Sequence, residues 1–266
     1  EGLTNVFDFF IRYHETRPTV DLFVAQDRAE TLFQLQSEGQ YALATQAKSF
    51  AEADSATNKF AGSTVLDVAN RMSSEYNAFA LPELAIVDEH VQLGNTAYFR
   101  DNQLIGYFNR EQSRGYVAAV YTIRNGVMVL DIPDIGTISL KLENTSSKIT
   151  ADLIDDVPHF QIDVSCKAYI SEINQDLRKK LSLDVYEKFE TALNETLKLQ
   201  IESAIEQAVI RDNTDIFNFD VALQQQQTEY WKVHRDSWAQ ELTKIKYTVN
   251  VTSSVDRVQQ EASPAF

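Results

Sequence analysis

The sequence predicts an α+β protein in which a C-terminal antiparallel sheet packs against one long amphipathic helix. Three observations support this prediction. Short segments rich in β-branched and aromatic residues dominate residues 84–170, as is typical of strands. A helical pattern of apolar residues then extends from Val185 to Arg211,. A shorter helical stretch and one last strand follow, and this order of elements is characteristic of the α+β class.

The first part of the chain predicts an α/β unit. Apolar residues recur at helical spacing over residues 3–13, and residues 20–25 form an apolar run typical of a buried strand,. Asp27 is a candidate N-cap for a second helix that ends near Gln36. Residues 48–62 are small and polar, which indicates a loop. The next helix begins after Ser63 or Thr64 and ends before Pro82.

Short strands are predicted next, at residues 84–87, 91–99 and 104–108. Asp101-Asn102 is a candidate hairpin turn, and a short helix is expected over residues 111–121. Asn125-Gly126 is a strong turn signal, because both residues accept a positive φ. Further strands at residues 127–132, at 137–142 with an extension toward Ile149, and at 160–170 predict an antiparallel meander. Asp155-Asp156 and Pro158 separate the last two of these strands.

The long helix has Asp184 as its candidate N-cap, with Glu187 at the reciprocal capping position. Its predicted buried stripe consists of Phe189, Leu193, Leu197, Ile201, Ile205 and Ala208,. A second helical stretch covers residues 219–242, with Trp231 and Trp238 as core or interface anchors. A final strand is expected at residues 244–251.

These changes along the chain predict three domains. Residues 1–83 form the remainder of an N-terminal α/β domain, residues 84–131 a small central domain, and residues 132–266 the C-terminal α+β domain. The chain lacks an initiator Met and a signal peptide, and it begins within a helical pattern,. We therefore expect the first domain to be truncated.

The charge balance excludes some partners. The 24 Lys and Arg residues are outnumbered by 39 Asp and Glu residues, and the formal net charge is −15. Nucleic-acid binding normally needs a clustered basic face, which this chain lacks. Direct adhesion to anionic lipid headgroups is disfavoured for the same reason. Attachment to a membrane would therefore require a covalent anchor or a protein partner.

The residues predict no catalytic, metal or cofactor site. The four histidines, His14, His90, His159 and His234, are far apart in sequence, and phosphate-binding and nucleophile motifs are absent,. Two acidic pairs, Glu202/Glu206 and Asp212/Asp215, are expected to be solvated rather than to serve as acid and base. Cys166, the single cysteine, is expected to be a buried core residue. We therefore expect a protein that is not an enzyme and has no cofactor.

Several motifs follow one another in the order typical of one family. Residues 81–84 (Leu-Pro-Glu-Leu), 94–99 (Gly-Asn-Thr-Ala-Tyr-Phe), 104–106 (Leu-Ile-Gly) and 111–115 (Glu-Gln-Ser-Arg-Gly) are followed by Ser-Lys-Ile-Thr at 147–150 and Pro-His-Phe-Gln-Ile-Asp-Val at 158–164. Residues 214–219 (Thr-Asp-Ile-Phe-Asn-Phe) precede the two Trp. This ordered set resembles the Ger(x)C family, the C subunits of spore germinant receptors.

The sequence departs from the family pattern at three positions. Gln112 stands where the motif has Glu, and Asn218 and Asp220 replace two glycines of a D-I-F-G-F-G segment. Backbone conformations that need Gly are therefore in doubt at the last two positions.

The resemblance implies a three-domain lipoprotein that is not an enzyme. It would lie on the outer face of the spore inner membrane, held by an N-terminal lipid anchor absent from this sequence. Its partners would be two integral membrane subunits, one of them transporter-like. The leading hypothesis is a scaffolding or coupling role. The alternatives are a solute-binding lipoprotein that captures a small nutrient germinant directly, and a cell-envelope hydrolase.

Within the leading hypothesis, we expect interface residues at the start of the short central helix, because an exposed Arg beside Gly suits docking. The alternative is that Arg114 pairs with a nearby carboxylate while Gly115 only allows close packing. The candidate interface consists of Glu111, Gln112, Ser113, Arg114 and Gly115.

Overall fold

The computed structural model describes Leu3, Ala47 and residues 17–34, 64–74, 76–88, 90–172 and 181–256. The predicted N-terminal helix (apart from Leu3) and the predicted loop at residues 48–62 lie outside the described residues. No helix within the described ranges is both long and apolar enough to cross a membrane.

The first of two four-stranded sheets is mixed. Its first strand pairs in parallel with the second, and the remaining pairs are antiparallel. The hairpin turn predicted at Asp101-Asn102 is confirmed, since both residues adopt a positive φ. The strands predicted at residues 84–87, 91–99 and 104–108 are longer in the structure, whereas the strand predicted at residues 20–25 is shorter. In spatial order they are β1 (Val24–Ala25), β2 (Ala78–Val87), β3 (His90–Arg100) and β4 (Gln103–Phe108).

This sheet is covered on both faces, which explains the nearly continuous apolar run of β2. Helix α2 (Val65–Met72) packs its buried Val68 against one face. Helix α3 (Arg110–Val120) lies on the other face, where Tyr98 of β3 joins the main core. A short helix, α1 (Ala29–Gln34), follows β1. Thr64, one of the two predicted cap residues, is the N-cap of α2 and forms a capping box with Asp67.

The second sheet is also mixed, so the prediction of an antiparallel sheet was wrong for its last pair. The final strand lies parallel to its neighbour, with His159 opposite Lys246. The physical reason is the long helical connection between the two strands, which provides the crossover that parallel neighbours require. The strands are β5 (Arg124–Ile132), β6 (Gly136–Ile154), β7 (Val157–Glu172) and β8 (Lys246–Asp256), in that spatial order.

Two turn predictions had opposite outcomes. Asp155 and Asp156 adopt a positive φ between β6 and β7, as expected of a hairpin turn. Asn125 and Gly126 lie inside β5 instead, and Gly126 is paired with Leu142. Sheet pairing outweighed the local turn preference at that position.

The long helix is present as α4 (Leu183–Ile205), and it continues into a π-helical turn at Glu206–Arg211. All six residues of its predicted stripe are fully buried. The predicted cap was wrong, because Ser182 occupies the N-cap position and Asp184 lies in the first turn. Ser182 makes no side-chain capping hydrogen bond.

The second helical stretch is broken into short helices. These are α5 (Phe219–Gln226), α6 (Thr228–His234) and, after one 3₁₀ turn, α7 (Trp238–Glu241). Trp231 and Trp238 are buried and pack edge to face, so both are core residues.

One main core connects the two sheets through α3 and α4. Cys166 is buried in it as predicted, and burial raises the pKa of its thiol to about 12. The three predicted domains stay a prediction; β2 passes through the first predicted boundary, after residue 83, and β5 through the second, after residue 131.

Candidate functional site

The predicted interface segment begins at a well-capped helix end. The side-chain oxygen of Asn109 accepts hydrogen bonds from the backbone N–H groups of Glu111 and Gln112, at 3.0 and 2.9 Å. The Gln112 side chain in turn accepts the N–H of Asn109 at 3.1 Å. Gln112, which departs from the family's Glu, therefore completes a capping box, as Glu would.

Removing this cap should weaken the protein measurably. We expect Asn109→Ala to lower the free energy of unfolding by about 1 kcal/mol, because two backbone N–H groups lose their acceptor. Urea denaturation followed by circular dichroism measures the change. Asn109→Ser, which keeps a capping oxygen, is the control, and it should retain most of the stability. Equal losses in both variants would contradict the capping role.

Two of the five predicted interface residues are buried. Ser113 is 0% exposed, and its hydroxyl lies 3.5 Å from the carbonyl oxygen of Phe108. Gly115 packs against the backbone of α4, where a Cβ atom would lie 2.6 Å from the nitrogen of Ile201 and closer still to the carbonyl of Gln200. The alternative stated for Gly115, close packing, is what the structure has.

The charge at the start of α3 differs in sign from the net charge of the chain. Glu111 is exposed and Arg114 half-buried. Burial, and secondarily the nearby Arg110, lowers the pKa of Arg114. Within the described part of the chain, no carboxylate lies within ion-pair distance of Arg114. Residues 110 and 114 thus form a locally basic pair on an acidic protein, and the interface itself stays a prediction.

A polar network joins this helix to the π-helical turn and to β3. The Gln112 amide donates to Gln207 at 2.7 Å, and Gln207 donates to the hydroxyl of Tyr98 at 3.0 Å. That hydroxyl donates to Asp212, and burial followed by this hydrogen bond raises the pKa of Tyr98. Arg100 also donates to the backbone of residues 212 and 213. The first sheet is therefore tied to the end of the long helical segment by hydrogen bonds as well as by the core.

Asp215 is a buried structural carboxylate, so the expectation of a solvated acidic pair was wrong for it. It is 1% exposed and accepts three hydrogen bonds: from the N–H groups of Phe219 and Asp220 and from the indole N–H of Trp238, at 3.0, 2.7 and 3.1 Å. Asn218 occupies the N-cap position of α5 but makes no side-chain capping hydrogen bond. The carboxylate of Asp215 accepts the hydrogen bonds of the helix start in its place.

The two positions where the family has glycine differ in their consequences. Asn218 adopts φ 64, the left-handed region, which Asn tolerates better than most residues,. Asp220 adds a second carboxyl beside Asp215 and is 4% exposed. Burial, followed by the charge of Asp215, raises the pKa of Asp220 to about 7. Because donors already occupy Asp215, Asp220 is the group that holds the proton.

A half-open cavity of about 320 Å³ lies between α2, β2, the end of α3 and the segment that contains Asn218. Arg71 lines it, and the guanidinium of Arg71 lies 3.9 Å from a carboxyl oxygen of Asp220. Sequence reasoning missed this region, because its residues are distant in the chain. The only local signal was the substitution of a family glycine by Asp220.

The histidines do not come together. His90, His159 and His234 belong to β3, β7 and α6, and His14 lies outside the described residues. The ring of His159 is hydrogen-bonded to Thr248, and that of His234 stacks on Tyr230. In the parts of the chain that the structure describes, no group of three or more His, Cys, Asp or Glu side chains is arranged to hold a metal ion.

Comparison with known proteins identifies the family. Residues 94–259 match the family model described as spore germination B3/GerAC like, C-terminal, and residues 1–86 match the model of a spore germination protein N-terminal domain. No curated protein matches the chain. A crystal structure of the GerBC protein superposes with a TM-score of 0.72 at 15% identity, covering 96% of this chain and 74% of that one. This similarity confirms the α+β fold, and the two family matches, which together span most of the sequence, confirm the resemblance: the chain belongs to the spore germination B3/GerAC-like family.

Proposed function

We propose that this chain is a non-enzymatic, extracytoplasmic subunit of a spore germinant receptor, and that it acts by scaffolding or coupling two integral membrane subunits, one of them transporter-like. The observation that carries the proposal is the match to both family models in their order along the chain. Co-purification of the two membrane subunits with the tagged full-length protein from spore membranes tests it. Failure to recover both subunits would overturn the receptor role.

In this proposal the protein lies on the outer face of the spore inner membrane and is held there by an N-terminal lipid. The net charge of −15 supports a covalent anchor, because an anionic membrane surface repels so acidic a protein,. Incorporation of a labelled fatty acid into the full-length protein tests the anchor. A full-length protein that stays on the membrane without the label would contradict it.

The surface that we propose for docking is the exposed start of α3, with Arg110 and Arg114 as its main contacts. The two guanidinium groups are four residues apart, so they lie on the same side of the helix. Like charges at this spacing repel in the free protein, and a carboxylate from a partner would relieve the repulsion. Glu111 and Gln112 would lie at the edge of this surface. Ser113 and Gly115 would support it from beneath.

Charge reversal tests this surface. We expect Arg114→Glu to lower recovery of the membrane subunits about tenfold, because a repulsive pair replaces an attractive one. Quantitative co-purification from spore membranes measures the effect. Arg110→Glu, at an exposed position, should act in the same direction. Lys188→Glu, which makes the same charge change at an exposed position of α4, is the matched control.

Thermal unfolding of the purified variants separates docking from folding, since Arg114 is half-buried. If this surface is the interface, Arg110→Glu should keep the unfolding temperature of the wild type and yet recover fewer membrane subunits. If Arg110→Glu and Arg114→Glu both fold and recover the partners as well as Lys188→Glu does, this surface is not the interface.

A further inference from the structure

The outer strands of the two described sheets differ in how they are protected against pairing with a further strand. β1 is only two residues long, and β4 has six residues and a shift in its register with β3. The exposed residues of β8 are all polar or charged: Lys246, Thr248, Asn250, Thr252, Ser254 and Asp256. Short strands, irregular pairing and charged residues are the usual means by which native proteins keep an outer strand from pairing.

β5 lacks these protections over most of its length. Its nine residues pair with β6 without a shift in register, and residues 125–130 carry no charge. On the open face of the second sheet, Val127 and Val129 are 44% and 61% exposed. Within the described ranges, no backbone group outside β6 is hydrogen-bonded to residues 126–131. β5 therefore presents a regular row of backbone N–H and C=O groups, beside two exposed valines, to a further strand.

The pattern of the open face matches an antiparallel copy of β5. In an antiparallel pair, residues directly opposite each other point to the same face of the sheet, and β-branched side chains stabilise such pairs. If Met128 of one copy lies opposite Met128 of the other, Val127 lies opposite Val129 twice. The four exposed valines then form one apolar cluster. The twofold axis through the Met128 pair gives both copies the same contacts and closes the assembly.

The charge of β5 favours this direction and register. Asp131 lies opposite Asn125 and about 20 Å from Asp131 of the other copy, a separation of six residues along a strand. A parallel pair in register would place the two Asp131 carboxylates side by side, which is unfavourable. Shifting the antiparallel register by two residues would place Asp131 opposite Val127, or Asn125 opposite Val129. Either shift loses the pairing of valine with valine.

We propose that β5 is a self-association surface, at which two copies of this chain join their second sheets into one continuous sheet. Its residues are distinct from those of the docking surface at the start of α3. A single strand pair buries less than the roughly 800 Å² per partner that is typical of stable complexes. We therefore expect a reversible dimer with a dissociation constant in the micromolar range. The proposal does not depend on the receptor role, because it concerns the isolated protein.

Analytical ultracentrifugation of the purified protein, from low micromolar to submillimolar concentrations, tests the proposal. The mean mass should rise from that of the monomer to that of the dimer and no further, because the twofold axis closes the assembly. The dimer should be more stable at raised ionic strength, which screens the repulsion between two copies that each carry a net charge of −15,. Amide hydrogen exchange localises the contact, since protection of β5 should increase with protein concentration.

Lysine substitutions on the open face identify the surface. Val129→Lys should raise the dissociation constant at least tenfold, because the twofold axis brings the two lysines to diagonal positions about 7 Å apart. Val127→Lys should act in the same direction and is the second variant. Val233→Lys makes the same change at a 75% exposed position of α6 and should leave the dissociation constant unchanged. Circular dichroism checks that each variant is folded.

Three outcomes would overturn the proposal. The first is a protein that stays monomeric over the whole concentration range, at low and at raised ionic strength. The second is a dimer that tolerates Val127→Lys and Val129→Lys as well as Val233→Lys, which would place the contact elsewhere. The third is growth beyond the dimer, which a closed pair of β5 strands does not allow.

Discussion

Gly115→Ala is expected to lower the free energy of unfolding by about 3 kcal/mol. The added methyl group would overlap the backbone of α4, lying 2.6 Å from the nitrogen of Ile201 and closer to the carbonyl of Gln200. Backbone atoms of a packed helix cannot turn aside as a flexible side chain can, so α3 and α4 must separate. The better helix propensity of Ala, worth about 1 kcal/mol, offsets only part of this cost.

Urea denaturation measures the loss, and a double variant identifies its cause. If the backbone of Gln200 is the obstacle, truncating its side chain in Gln200→Ala will not rescue Gly115→Ala. If the side chain of Gln200 were the obstacle, the double variant would regain most of the stability. A stability of Gly115→Ala equal to that of the wild type would mean that the two helices are farther apart than described.

The stability of this protein is expected to fall as the pH rises from 5.5 to 8.5, by about 2 kcal/mol from Asp220 alone. The folded-state pKa of Asp220 is about 7, whereas an Asp in the unfolded chain titrates near 3.9. Between these two values the folded state holds a proton that the unfolded state has lost. The stability that Asp220 contributes is therefore fully present below the lower pKa, decreases between the two values, and levels off above pH 7.

The groups that face this carboxyl set its response. Asp215 favours the protonated form and Arg71 the ionised form, and burial outweighs both. Tyr116, whose pKa burial raises, is also close to Arg71 and Asp215. It remains uncharged throughout the window. The proton on Asp220 is thus the one whose loss leaves two buried negative charges beside a single guanidinium.

Asp220→Asn isolates this effect. The variant should lose the extra pH dependence, and at pH 8.5 it should be more stable than the wild type, because it carries no charge to bury. Thermal unfolding at several pH values between 5.5 and 8.5 measures both. All other ionisable groups are common to both proteins, so their contributions cancel in the difference. Identical pH dependence of wild type and variant would contradict the role of Asp220.

Much of the fold could be predicted because its patterns are local. The stripe of α4, including Phe189 and Leu197, follows from helical periodicity, and the turns at Asp101-Asn102 and Asp155-Asp156 follow from residues that accept a positive φ. The direction of β8 is not written in its own residues. It depends on the long helical connection from β7, which permits a parallel neighbour but does not by itself determine which strand β8 joins,. Asn125-Gly126 shows the same limit, since pairing with β6 decided its conformation.

The candidate sites were less accessible to sequence reasoning. The segment from Glu111 to Gly115 was recognised as important, but nothing in it indicated that Gly115 contacts the backbone of a helix far along the chain. The burial of Asp215 and Asp220 depends on Arg71 and Trp238, which only the folded chain brings near. The residues around a buried carboxylate can be as polar as those around an exposed one. The local sequence therefore does not show which carboxylates are buried, and only the tertiary structure does.

The parallel pairing of β7 with β8 has a consequence for the order of folding. Each residue of β8 is paired with one far back in the chain, such as Lys246 with His159. During synthesis, the second sheet stays incomplete until the helices between β7 and β8, and β8 itself, have left the ribosome. Pairings over such separations form slowly, and the edge of β7 is open to other strands in the meantime. We therefore expect the unpaired edge of β7 to be the part of this protein most exposed to aggregation while β8 is still being made.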